Sequence, residues 1–64
     1  MLKDRIIRLP EVLKRTGFSR SSWYRAMRDD PEFPKPIPLG QRSIGFAESD
    51  IDRLIERLLS KRHG

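Results

Sequence analysis

Between residues 20 and 28 the chain carries six side chains with hydroxyl or guanidinium groups that can donate hydrogen bonds to an anion, and none that is acidic. They are Arg20, Ser21, Ser22, Tyr24, Arg25 and Arg28. A guanidinium group can bind phosphate or the edge of guanine through two parallel N–H groups, and small hydroxyls allow close approach. Exposed helices normally mix charges of both signs, because opposite charges one turn apart stabilise the helix. The absence of acidic residues therefore favours the interpretation that this surface binds a polyanion over the interpretation that it is an ordinary solvated surface.

A helix has to position these side chains, and the sequence marks where it begins. Ser19 is a typical N-cap residue, and Gly17 is suited to end a short helix that begins at Pro10. Two helices joined by a tight turn that contains glycine form a helix-turn-helix. At about 100° per residue, Trp23 and Met27 fall on one apolar face of the second helix, and most of the donors fall on the other. The first helix is expected to contact the core through Val12 and Leu13, with Leu9 at its edge.

The segment after the second helix predicts an extended loop and then a small β-hairpin. Four prolines between residues 31 and 38 prevent helix formation. Apolar residues then alternate on both sides of a Gly-Gln-Arg turn, which is typical of a hairpin. The side chains expected to hold the hairpin to the helices are Ile37, Leu39, Ile44 and Phe46. Its tip presents Gln41, Arg42 and Ser43, which can all donate hydrogen bonds to phosphate oxygens. Residues 6–9 predict a short strand or an extended lead-in.

An amphipathic helix is predicted for the end of the chain. Its apolar residues recur at i, i+3, i+4, i+7 and i+8. They are Ile51, Leu54, Ile55, Leu58 and Leu59. Acidic residues occupy its first turns and basic residues its end, as the helix dipole prefers. This apolar face is expected to complete the core, and the alternative is an interface with a protein partner.

The composition excludes most catalytic chemistry. The chain has 64 residues and no cysteine, and its one histidine is His63. A chain of this length supports one small core, so a single domain over residues 1–64 is expected, with little room for a substrate pocket. A disulfide, a zinc cluster and a histidine-based catalytic dyad cannot be built within one copy. We therefore expect no enzymatic activity, no metal and no cofactor.

The positive charge is concentrated in the first part of the chain. The net charge is +5, and residues 1–28 hold eight basic side chains against two acidic ones, a net +6. Residues 29–47 have a net charge of −1, and residues 48–64 are neutral. A basic half on a small chain is typical of nucleic-acid binding, in which each neutralised phosphate releases counterions. The apolar runs are too short for a membrane span or a signal peptide, so a cytoplasmic, nucleoid-associated location is expected.

The predicted order of elements resembles the winged helix-turn-helix of the MerR and excisionase type. Its helix-turn-helix would span about residues 10–29, its wing hairpin about 37–46 and its last helix about 48–61. Two motifs are also similar to the AlpA family of short prophage-type transcriptional regulators: Thr-Gly-Phe-Ser-Arg-Ser at 16–21, and Phe-Pro-Lys-Pro at 33–36 followed by Leu-Gly at 39–40. The similarity spans about residues 6–60. Trp23, Phe46 and Ala47 depart from the family's usual residues, and all three concern packing.

The resemblance implies a mainly α fold with a small β-hairpin that binds double-stranded DNA. The helix from Ser19 to about Arg28 would enter the major groove, and the hairpin around Arg42 would contact the backbone or the minor groove. The implied function is a sequence-specific transcriptional regulator of a prophage or mobile element, or an excisionase that directs an integrase. Integrase and RNA polymerase are the protein partners of such roles, and binding could be cooperative or dimeric.

Two other function classes remain open at the level of the sequence. The first is RNA binding, which the charge permits, although modules for single-stranded RNA normally display stacked aromatic side chains on a sheet. The second is an antirepressor-like interaction module that uses the last helix. Affinity for duplex DNA that falls steeply with salt would separate these classes.

Overall fold

The computed structural model describes residues 4–63 and confirms the predicted fold class. Its elements are β1 (Ile6–Arg8), α1 (Leu9–Thr16), α2 (Arg20–Asp29), β2 (Ile37–Pro38), β3 (Ile44–Ala47), α3 (Glu48–Ser60) and a short 3-10 helix (Lys61–His63). The described chain is mainly helical with a small antiparallel sheet, which is compatible with a winged helix-turn-helix. Each predicted helix begins and ends within one residue of its expected position.

Local signals set the turn between α1 and α2. Gly17 has a φ of 80° and donates a hydrogen bond from its N–H to the carbonyl of Leu13 at 2.8 Å, which ends α1. Glycine adopts this left-handed conformation without a side-chain clash. The hydroxyl of Ser19 accepts a hydrogen bond from the N–H of Ser22 at 3.2 Å and so caps α2. Both predicted helix ends are confirmed.

The start of α3 depends on a distant part of the chain. Its N-cap residue, Ala47, has no side chain that can accept a hydrogen bond. Asp4 accepts hydrogen bonds from the N–H of Ser49 at 3.0 Å and from its hydroxyl at 2.6 Å. The carbonyl of Arg5 accepts another from the N–H of Glu48 at 2.7 Å. The hydrogen bonds from Ser49 stabilise the ionised carboxyl of Asp4 and hold its pKa below the ordinary value.

The sheet has three strands in the order β1-β3-β2, where the sequence predicts a two-stranded hairpin. β3 pairs antiparallel with both neighbours, and Ile7 lies opposite Phe46 while Ile37 lies opposite Gly45. A two-stranded ribbon is marginally stable in water, and β1 gives β3 backbone partners on its second side. Pro38 lies in an edge strand, where its missing N–H costs no ladder hydrogen bond.

The core lies between the sheet and the helices. Its buried residues are Ile7, Leu9, Val12, Trp23, Phe33, Phe46, Ile51 and Leu54. Trp23 is completely buried, which confirms the predicted apolar face of α2. Three positions predicted to be in the core are wrong: Leu39 is 39% exposed, Leu59 is 49% exposed, and Ile37 is not among the residues packed on the core. Leu39 packs over Gly45, on the sheet face opposite Phe46, and Leu59 lies one residue before the end of α3.

Candidate nucleic-acid interface

The burial of Trp23 fixes which face of α2 meets solvent. The indole contacts the rings of Phe18, Phe33 and Phe46 edge-on, at centroid distances of 5.4, 4.7 and 5.3 Å. These contacts come from the turn, the proline-rich loop and β3, so α2 cannot rotate without breaking them. The predicted contact residues of this helix are all exposed: Arg20, Ser21, Ser22, Tyr24, Arg25 and Arg28.

A groove runs between α2 and the hairpin. Arg20 and Tyr24, one turn apart on α2, line this groove together with Arg42 and Ser43 from the β2–β3 loop. Arg8, at the end of β1, lines it as well. The structure therefore brings four of the predicted residues together and adds a third arginine. The sequence pattern alone does not single out Arg8, because its place in the groove depends on the pairing of β1 with β3.

The other predicted residues lie outside this groove. Ser21 and Arg25 are exposed on α2, and Gln41 is exposed at the hairpin tip. The hydroxyl of Ser22 accepts a hydrogen bond from the hydroxyl of Ser19 at 2.9 Å, so this side chain takes part in the helix cap.

Arg28 differs from the other α2 arginines because it has an acidic neighbour. Its Nε lies 3.1 Å from Oδ1 of Asp29, and the two side chains are 74% and 60% exposed. Exposed pairs of this kind contribute about 0–1 kcal/mol. A phosphate could therefore replace Asp29 at little cost.

The arginines of the described residues fall into two groups: those that pair with a carboxylate and those that do not. Arg5 and Arg15 contact Glu11 and Glu48, and the closest approaches are 2.8 Å and 3.0 Å from Arg15. The hydrogen bonds from Arg15 to Glu48 and Glu11 raise the pKa of its guanidinium group. This network ties the residue before β1 to α1 and α3, and its two carboxylates neutralise its two guanidinium groups.

A second ion-pair cluster holds the proline-rich loop to α3. Arg57 contacts Asp30 at 3.1 Å and Glu32 at 3.8 Å. Two of the three acidic residues between positions 29 and 32 therefore pair with α3. The third is Asp29, the partner of Arg28.

Besides Arg62 in the short 3-10 helix, four arginines of the described residues have no carboxylate partner. Among residues 4–63, no ion pair within 4 Å involves Arg8, Arg20, Arg25 or Arg42. Three of the four line the groove, and the fourth is on the exposed face of α2. This face can bind anions through charge-assisted hydrogen bonds. Within the same described residues, no group of three or more His, Cys, Asp or Glu could hold a metal ion.

Two helices joined by a tight turn, followed by a hairpin beside the second helix, define a winged helix-turn-helix. The sequence model of the family described as "Prophage CP4-57 regulatory protein (AlpA)" matches residues 5–59, and the chain belongs to this family. The expected family is thus confirmed. No helix of the described residues has both the length and the apolar character that a bilayer crossing requires.

Two relatives extend the comparison. The chain is 38% identical over 58 residues to "DNA-binding transcriptional activator AlpA" of Escherichia coli (strain K12), and the match covers 83% of each protein. It is 30% identical over 63 residues to "Uncharacterized protein ORF88" of Enterobacteria phage P4, covering 97% of this chain and 70% of that protein. No solved structure matches the chain significantly.

Proposed function

We propose that this protein is a sequence-specific, double-stranded DNA-binding transcriptional regulator of a prophage or other mobile element. The observation that carries the proposal is the cluster of unpaired arginines on the outer face of α2 and in the groove beside the hairpin. Phosphate contacts of this kind supply most of the affinity of DNA-binding proteins. The relative from Escherichia coli is named a DNA-binding transcriptional activator, which supports the same function here.

In this proposal α2 is the recognition helix. An α-helix with side chains is about 10–12 Å wide and fits a major groove of about 12 Å. Ser21 and Arg25 lie near the middle of the exposed face and would reach base edges, while Arg28 at its end would contact phosphate. The hairpin would act as a wing, with Gln41 and Arg42 on the DNA backbone.

The same surface would serve an excisionase that directs an integrase, so the regulatory role rests on the name of the relative. An activator would also contact RNA polymerase. We propose that residues 1–64 form one DNA-binding domain that acts in the cytoplasm and carries no catalytic centre. The antirepressor-like alternative loses its main support, because Ile51 and Leu54 from the apolar face of α3 are buried in the core.

The first experiment selects preferred duplexes from a random library and then compares two variants on the selected and on random DNA. Arg25→Ala should lose about 1–3 kcal/mol of discrimination between the two, the value of one bidentate base contact. Arg28→Ala should weaken binding to both duplexes alike, because phosphate contacts carry no sequence information. Arg53→Ala, which removes an exposed arginine on α3, is the matched control.

Two results would contradict the proposal. The DNA-binding function fails if the parent protein shows no salt-dependent affinity for duplex DNA, or prefers single-stranded RNA of the same length. The role of α2 fails if Arg25→Ala and Arg28→Ala both bind like Arg53→Ala.

A further inference from the structure

We propose that the groove between β1, α2 and the β2–β3 loop binds a phosphate of the DNA backbone, and that Arg8 is one of its ligands. The inference rests on the proposed function and extends the interface beyond the helix-turn-helix and the wing. It assigns a contact to a residue of β1.

The first argument is the convergence of charge. Arg8, Arg20 and Arg42 come from three separate elements and line one groove, and none of them has a carboxylate within 4 Å among the described residues. Like charges that share a site repel one another, and an anion bound among them removes this repulsion. The hydroxyls of Tyr24 and Ser43 line the same groove and can donate to the remaining oxygens of a phosphate.

The second argument is how firmly the backbone of Arg8 is held. Its neighbour Ile7 is buried and lies opposite Phe46, so the alternation of the strand directs Arg8 to the other face of the sheet, opposite Gly45. Arg8 is also the N-cap residue of α1, with φ −83° and ψ 160°. A strand on one side and a helix on the other therefore fix the direction of its Cβ.

The third argument is that the fold makes no use of the side chain. The side chain of Arg8 is exposed and makes no capping bond to α1, no other hydrogen bond and no ion pair within residues 4–63. By contrast, Arg5 in the same segment pairs with Glu11 and Glu48. A long cation held in place without an internal partner is well suited to an external anion.

The position of the groove points to DNA as the source of the phosphate. Arg20 and Tyr24 belong both to the groove and to the exposed face of α2. If α2 occupies the major groove of DNA, the backbone of the strand that it reads runs along the edge of that groove. The protein groove between α2 and the hairpin would then face this backbone. The groove also adjoins the N-terminal end of α2, whose partial positive charge favours phosphate.

The test uses the whole protein and a short duplex of fixed sequence, with affinity measured over a range of KCl concentrations. Arg8→Ala should weaken binding about 10- to 150-fold at low salt, the value of one charge-assisted hydrogen bond. It should also lower the slope of log K against log salt by about 0.9, the value for one lost phosphate contact. Arg8→Lys should restore the slope, since it retains the charge. Every variant should melt at the temperature of the parent.

The matched control is Lys35→Ala. This lysine lies in the proline-rich loop, donates a hydrogen bond to the carbonyl of Pro31 at 3.0 Å and lines a different groove, against α3. Lys35→Ala removes one positive charge, as Arg8→Ala does, so its effect on DNA binding measures the contribution of net charge alone. If the parent binds duplex DNA and Arg8→Ala has the slope and affinity of Lys35→Ala, the phosphate site is wrong although the proposed function stands. If the parent does not bind duplex DNA, both fail.

A double variant tests whether the arginines share one phosphate. Arg8→Ala combined with Arg42→Ala should weaken binding by less than the product of the two separate effects, because residues that contact a common group are not independent. If the two effects multiply, Arg8 and Arg42 bind different phosphates, and the single site proposed here is wrong.

Discussion

Replacement of Trp23 with alanine should lower the free energy of unfolding by about 3–5 kcal/mol, the usual cost for a buried tryptophan. The side chain is completely buried and contacts Phe18, Phe33 and Phe46 edge-on. Each such aromatic pair contributes about 0.5–1.5 kcal/mol beyond the area that it buries. A chain of this length has a total stability of about 3–10 kcal/mol at 0.05–0.15 kcal/mol per residue. The variant should therefore lose from about a third to all of the stability of the fold.

Trp23→Phe should cost less, about 1–2 kcal/mol. Phenylalanine retains an aromatic ring among the three neighbouring rings. It also removes the indole N–H, which is buried without a hydrogen-bond partner among the described residues. A buried donor without a partner costs about 1–3 kcal/mol, so its loss offsets part of the cavity that the smaller ring leaves.

Urea unfolding followed by far-UV circular dichroism measures both changes, since neither variant retains a tryptophan for fluorescence. The midpoint should fall while the dependence on urea stays the same. A parental midpoint for Trp23→Ala would refute the reasoning, because Trp23 would then be a surface residue and the faces of α2 would be reversed. Equal losses for the two variants would show that the aromatic contacts are not what holds Trp23 in place.

Three further substitutions test the backbone and the caps. The lowered pKa of Asp4 means that its hydrogen bonds to Ser49 stabilise the fold above the unfolded-state pKa of about 3.9 and lose this effect as pH falls through the folded value. The difference in melting temperature between the parent and Asp4→Asn should thus be largest near neutral pH and shrink below about pH 4, and a constant difference would contradict it. Gly17→Ala should cost about 1–2 kcal/mol from the left-handed backbone alone, because nothing lies within 4 Å of a Cβ there; an unchanged urea midpoint would exclude this. Gly45→Ala should cost about 1–3 kcal/mol, because its Cβ would lie 2.6 Å from Cγ2 of Ile6, and adding Ile6→Ala should recover part of the loss in the same urea experiment.

Elements that depend on neighbouring residues could be predicted well. Gly17 ends α1 through a hydrogen bond to the residue four positions earlier, and Ser19 begins α2 through a hydrogen bond to the residue three positions later. The turn between α1 and α2 can therefore be predicted from the sequence. The exposed face of α2 follows from helical periodicity in the same way, because one buried residue, Trp23, orients the whole helix.

The core predictions for Ile37, Leu39 and Leu59 failed because periodicity says which residues share a face and not what covers that face. Leu39 continues the alternation of apolar residues that begins in β2, and this pattern predicted that it would be buried. Its side chain instead lies over Gly45 on the outer face of the sheet. Leu59 continues the apolar stripe of α3, yet it is half exposed at the end of the helix.

The sequence by itself determined the helices, their order and a basic exposed face of α2, because these depend on the composition and spacing of residues within a few turns. Tertiary structure alone decided that β1 is a third strand, that Asp4 caps α3 from 45 residues away, and that Arg8 lies beside Arg20 and Arg42. Each of these depends on contacts between segments far apart in the chain, and no local pattern records which distant backbone groups will pair. The proposed phosphate site belongs to this second group, since it exists only where a strand, a helix and a loop meet.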